Sequence, residues 1–85
     1  MKIELVIFAL RGKCYRRSIS EILPKGTVVS LGLSTGYKVE EIYYDLDDAE
    51  QDGTVDIALT DTKGVDISEL HEGVLLGLGF RRSFG

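Results

Sequence analysis

Tryptophan is missing from these 85 residues, and cysteine, histidine and proline occur once each. A single Cys14 has no internal partner, so no disulfide staples the fold, and a reducing cytoplasm is the expected location. A single His71 excludes a metal site built on several histidines. Long apolar runs are missing as well. The longest, Leu5 to Leu10, falls far short of the roughly 20 residues that cross a bilayer as a helix. Met1 to Leu10 does not read as a secretory leader, because Glu4 interrupts it and no small-residue cleavage site follows. No membrane partner is expected.

What is present is a chain with a real core. Hydrophobic residues make up 44%, which argues against disorder, and the length suits one domain spanning residues 1–85. A domain of this size holds about 4–13 kcal/mol of stability at the usual per-residue rate. Small domains bury a modest fraction of their surface, which makes self-association a natural way to gain burial.

The net charge of −4 conceals a lopsided distribution. Residues 1–38 carry Lys2, Arg11, Lys13, Arg16, Arg17, Lys25 and Lys38 against Glu4 and Glu21, a balance of +5. Residues 39–80 carry Lys63 against twelve acids, a balance of −11, before Arg81 and Arg82 add +2. Such asymmetry either forms opposed patches that favour docking or disappears when strands interleave.

Period-2 patterns dominate. "KIELVIFAL" (2–10) predicts a strand with apolar residues on both sides, and so burial of both faces. "RGK" supplies a turn, and "CYRRSI" returns as the second arm of a hairpin. Ser20 is suited to cap one helical turn that Pro24 stops, and Pro24-Lys25-Gly26 reads as a turn. "TVVSLGL" (27–33), "YKVEEIYYDL" (37–46) and "TVDIALT" (54–60) predict three further strands. In the second of these, Ile42, Tyr44 and Leu46 alternate with Glu41, Tyr43 and Asp45, and the apolar set is expected inside.

"DAEQDGTVDIAL" (48–59) imitates a calcium loop, with acids at its first, third, fifth and ninth places and glycine at its sixth. Its flanks have strand periodicity where helices are needed, and its twelfth place holds Leu59 instead of a bidentate Glu. The expectation is therefore an Asp-Gly turn with no metal and no cofactor. The only grouping open to an ion would be Asp45, Asp47, Asp48 and Asp52 at the loop tip.

The last third admits two readings. Asp66 with Glu69 fits a capping box, and Ile67, Leu70, Val74 and Leu78 form a helical stripe with Leu75 beside it and Gly79 as its end. Gly73 and Gly77 count against this, at about 1 kcal/mol each relative to Ala. The competing reading is a strand from Val74 to Phe80. The expected element is a helix from about Ile67, free to stop at Gly73 with a strand after it.

Little catalytic chemistry is spelled out. Cys14 and His71 are the only candidates for a nucleophile and base, and a small strand residue and a solvated or capping histidine account for both. "GVLLGLGF" has glycine spacing but lacks the Lys-Ser/Thr ending of a phosphate loop. Arg11, Lys13, Arg16, Arg17, Arg81 and Arg82, with Tyr15 and Phe84 to stack, form the case for single-stranded nucleic acid.

"VVSLGLSTGYKVEEIYYDLDD…TVDIALTD" resembles the first motif of the Sm-like barrel family in its Gly36 turn, long strand, Asp45 and return strand ending at Asp61, and "GLGFRRS" resembles the short second motif. Such a resemblance implies a small nucleic-acid-binding barrel. The chain departs from it: no asparagine follows Asp45, Glu40 and Glu41 stand where the family has a strand-bending glycine, and a basic hairpin replaces the first helix. Membership is not claimed.

The architecture expected is α+β, with five or six antiparallel strands in a curled sheet or small open barrel and one helix near the carboxyl end. Its core is expected to include Ile3, Leu5, Ile7, Val29, Leu31, Ile42, Tyr44, Leu46, Val55, Ile57, Leu59, Leu70 and Val74. The function expected is a non-enzymatic protein-interaction module, partnered by its own copies or another protein. Its surface would comprise Tyr43 among the acids Glu41 and Asp45, together with Arg16, Arg17, Arg81 and Arg82. Nucleic-acid binding through the hairpin Arg11–Arg17 is the alternative, and an enzyme using Cys14 comes third.

Overall fold

A computed structural model describes residues 1–8, 13–31, 36–47, 53–61 and 72–84. Among them are strands β1 (Lys2–Phe8), β2 (Lys13–Ile19), β3 (Val28–Val29), β4 (Tyr37–Asp45) and β5 (Thr54–Asp61), helix α1 (Glu72–Gly77) and strand β6 (Arg81–Phe84). The strands form one sheet in the order β3-β4-β5-β1-β2-β6, curled into a half-barrel. The helix expected near the carboxyl end is present and continues past Gly73 to Gly77, so neither a stop at Gly73 nor a strand from Val74 to Phe80 is found; the strand that follows is Arg81–Phe84. The helix's expected start near Ile67 lies outside the described residues.

The sheet is mixed, which corrects the all-antiparallel expectation. β1 pairs antiparallel with β2 but parallel with β5, in a register from Lys2 opposite Thr54 to Ile7 opposite Leu59. Periodicity does not encode strand direction, because a strand's two faces look the same whichever way its neighbour runs. The parallel pair follows from the chain's route. β1 and β2 form a hairpin, the chain then crosses to the far edge, and β4 returns through β5 alongside β1. β1 thus becomes central, and Leu5, Val6 and Ile7 are buried on its two faces as the apolar pattern predicts, together with the charged Glu4, whereas Phe8 at the strand's end is exposed.

One face carries the main core. Leu5 and Ile7 of β1, Tyr15 of β2, Val55, Ile57 and Leu59 of β5, and Tyr37 and Val39 of β4 cluster with Leu31, Leu75 and Phe80. Ile3, Ile19, Leu23, Val29 and Ile42 pack against this cluster while partly buried. Nine of the thirteen expected core positions are buried or packed in this way. Leu70 lies outside the described residues. Tyr44, Leu46 and Val74 are exposed instead.

Each of those three misses has a cause. The register of β4 on β5 slips between Val39 and Glu41, so that Val39 faces Leu59 and Ile42 faces Ile57 although three positions separate them. A bulge at Glu40 absorbs the odd residue, which is why strict alternation counted back from Ile42 misses Val39. Tyr44 does share the core face, opposite Val55, but it lies at the end of the sheet and is 56% exposed. Leu46 lies just past the strand. On α1 the inward residue is Leu75, and Val74 takes the outer side.

The end of α1 shows why Gly79 is glycine. The Phe80 N–H donates to the Leu75 carbonyl at 3.0 Å and the Gly79 N–H to the Leu76 carbonyl at 3.2 Å, with Gly79 at φ +92°. This is a Schellman closure, and its usual apolar partners are here Leu75 and Phe80, both in the core. Gly73 and Gly77 have no such role, since a Cβ at either would meet nothing within 4 Å.

The three glycines should therefore respond to alanine in opposite ways. Gly79→Ala should cost about 1–2 kcal/mol through its left-handed φ, whereas Gly73→Ala and Gly77→Ala should each gain about 0.5–1 kcal/mol. Urea denaturation checks this, and three losses of equal size would contradict the helix end described.

Candidate interaction surface

On the sheet face opposite the core, the register sets like charges side by side. Glu4 of β1 faces Asp56 of β5, and Arg16 of β2 faces Arg81 of β6. Like charges directly opposite one another are unfavourable across strands, so each pair needs its counter-pair. The side chains supply it. The Arg81 guanidinium donates to Glu4 Oε2, Arg16 Nη1 lies 3.0 Å from Asp56 Oδ1 and 3.6 Å from Glu4 Oε1, and Lys2 Nζ stands 3.8 Å from the same Glu4 oxygen.

Glu4 is 5% exposed, so this carboxylate is removed from water and held by three cations. Burial pulls the Arg16 guanidinium downward, but the Asp56 charge and hydrogen bonding to Asp56 and Cys14 outweigh it, and the net direction is upward from the ordinary value. Arg16 thus stays charged throughout the physiological range.

A second network joins the helix to the sheet. Tyr15 Oη donates to Glu72 Oε2 at 2.5 Å, and Arg82 Nη1 donates to Glu72 Oε1 at 3.1 Å. The basic and acidic halves of the chain therefore interleave at both networks. Arg16 meets Asp56 from 40 positions away, and Arg81 meets Glu4 from 77.

These contacts divide the residues singled out in the sequence. Arg16 and Arg81 share the second face with Glu41, Tyr43 and Asp45, which stand opposite Ala58, Asp56 and Thr54. Arg17 stands opposite Leu5 and Arg82 opposite Tyr15, on the core face. Arg11 and His71 lie outside the described residues. Tyr15, a candidate for stacking on bases, is buried in the core instead, and Cys14 is 1% exposed. A reactive thiol needs partial exposure. At the acidic tip the Asp47 N–H donates to Asp45 Oδ1 at 3.0 Å, a local turn contact, while Asp48 and Asp52 fall outside the described residues. Among the described residues no three His, Cys, Asp or Glu side chains gather as a metal would require, and no helix is long and apolar enough to cross a membrane.

The sheet has two open edges. The turn before β3 covers β4 only as far as Val39, whose carbonyl accepts from the Gly26 N–H and whose N–H donates to the Thr27 carbonyl, each at 2.9 Å. Past the bulge, Glu41–Asp45 has no strand on its outer side among the described residues. Tyr43 is 57% exposed on one face of this edge, Tyr44 is 56% exposed on the other, and Leu46 is 75% exposed beyond them. At the far side, β6 pairs with β2 and has no outer strand among the described residues. Tyr44 and Leu46 were missed in the sequence because their alternation with acids is also the signature of a buried face. Only their position at the strand's end distinguishes them.

No family model matches the sequence, and no curated protein or solved structure is significantly similar to it. The partial resemblance to Sm-like barrels thus finds no support in these comparisons.

Removing the buried carboxylate should matter more than removing its exposed companion. Glu4→Gln should cost about 1–3 kcal/mol, reduced from the value for a fully buried pair because its cations reach solvent, and Asp56→Asn should cost under about 1 kcal/mol. Chemical denaturation of the two variants would rank them. Equal, small losses would mean that the network contributes nothing.

Proposed function

We propose that this chain is a non-enzymatic protein-interaction module that associates with copies of itself. The observation that carries the reading is that, among the described residues, no strand covers the outer side of β4 from Glu41 to Asp45, which is flanked by exposed Tyr43, Tyr44 and Leu46. An uncovered strand edge offers unpaired backbone donors and acceptors, and natural sheets leave such edges protected or put them to use. Large aromatics beside one supply the apolar area that anchors an interface. The buried thiol of Cys14 favours a non-catalytic role, and a free cysteine suits the cytoplasm.

Single-stranded nucleic acid is the weaker reading. Of the basic hairpin, Arg16 is committed to Glu4 and Asp56, and Arg17 projects from the opposite side of the sheet. That leaves no single described face bearing both arginines for a backbone to follow.

Sedimentation velocity from about 1 to 100 μM checks the proposal, since weak specific contacts have dissociation constants in or near that range. The expected result is a mass that rises with concentration. A monomer at every concentration, in low and high salt alike, would refute self-association.

A further inference from the structure

The open edges differ in charge and run in opposite directions. β4 is antiparallel to β5, which is parallel to β1, so β4 runs against β1. β6 is antiparallel to β2, itself antiparallel to β1, so β6 runs with β1. When the sheet of one copy continues into the next with the same face upward, β6 of the first meets β4 of the second antiparallel. That is the pairing that needs no crossover and forms the stronger ladder.

Charge selects the same pairing. Glu40, Glu41 and Asp45 line the β4 edge and are all exposed. Arg81 and Arg82 line the β6 edge with half-exposed side chains, so their contacts with Glu4 and Glu72 leave donors facing solvent. Arg81 lies on the face that carries Glu41 and Asp45, and Arg82, on the core face, adds to the positive charge of the edge within a Debye length. Two β4 edges brought together would oppose acids to acids, and two β6 edges would oppose arginines to arginines. Both like-with-like pairings are repulsive, while β4 against β6 is attractive. Edge charges are commonly read as protection against any pairing. Here they have different signs on the two edges, so they forbid the symmetric dimer and permit the head-to-tail contact.

We infer that β6 of one copy docks antiparallel on residues Glu41–Asp45 of β4 in another, forming a heterologous contact that repeats around a ring or along a filament. This rests on the self-association proposed above and names its geometry. β6 has four residues to offer and the open stretch of β4 five, so one contact is short. Tyr43 and Tyr44 extend it on the two faces. A short polar contact of this kind is weak singly and gains strength where each copy makes two.

Two variants and their mixture test the inference. The first, Glu40→Lys with Glu41→Lys and Asp45→Lys, alters exposed positions but removes the Glu41 contact with Lys25 and the Asp45 acceptor of the Asp47 N–H, so circular dichroism must show an unchanged fold before its association is compared. The second is Arg82→Glu, with Arg82→Gln in its place if circular dichroism shows that the reversed charge beside Glu72 unfolds the chain. Arg81 is left alone because it holds Glu4. Each variant alone should associate at least about tenfold more weakly than the parent in sedimentation at low salt, and an equimolar mixture of the two charge reversals should recover association. In the mixture the unaltered β6 of the first variant meets the unaltered β4 of the second, so this contact is expected to recover with Arg82→Gln as well. Undiminished association of the first variant, or failure of the charge-reversed mixture to recover, overturns the head-to-tail contact while leaving self-association standing. A parent chain that never associates overturns both.

Discussion

The parallel pairing of β1 with β5 is the constraint on which the rest of this fold depends. It takes the strand with the most apolar flanks and makes it central, with β2 on one side and β5 on the other. Leu5 and Ile7 then face Ile57 and Leu59 in the main core, and Val6 on the reverse side stands beside Ala58. Parallel neighbours cannot be joined by a tight turn, and the connection from β1 to β5 here runs through β2, β3 and β4, while α1 lies on the later connection from β5 to β6. Leu31 reaches the cluster from the segment after β3, and Leu75 and Phe80 reach it from α1 and its Schellman closure.

The same register creates the charge problem on the second face and solves it. Setting β5 beside β1 puts Asp56 next to Glu4, and setting β6 beside β2 puts Arg81 next to Arg16. Neither pair is favourable alone. Together they form a lattice in which every charge has an opposite neighbour, with the most deeply buried member at its centre. Among the described residues, Asp56 and Glu72 are paired with arginines, Glu40, Glu41 and Asp45 are exposed along β4, and arginines mark β6. Charge thus differs in sign between the β4 and β6 strands of the described sheet.

Much of the fold was legible in the sequence because solvent imposes a period of two on a half-buried strand. Residues 2–8, 13–19, 37–45 and 54–61 show that period, and Val55, Ile57 and Leu59 were correctly placed inside. The pattern failed where geometry broke its phase. The bulge at Glu40 leaves no signature of its own, so Val39 was overlooked. Strand ends escape the burial that the pattern implies, so Tyr44 and Leu46 were assigned inward. α1 is too short, at six residues, for its stripe to separate Val74 from Leu75. Of the surface residues, the sequence identified Tyr43 among its acids, but it grouped Arg17 and Arg82 with residues that emerge on the other side of the sheet.

By itself the sequence determined what is local: which segments extend, where Gly26 and Gly79 allow the chain to turn, that no disulfide forms within the chain, and that the acidic stretch after β4 has strand flanks unlike those of a helical calcium loop. Those properties depend on a residue and its near neighbours, whose preferences are written side by side. Strand direction, neighbour order, the meeting of Arg81 with Glu4 and the charge of each open edge were decided only by the tertiary structure. They depend on which distant segments lie next to each other, and that follows from the most favourable burial over the whole chain.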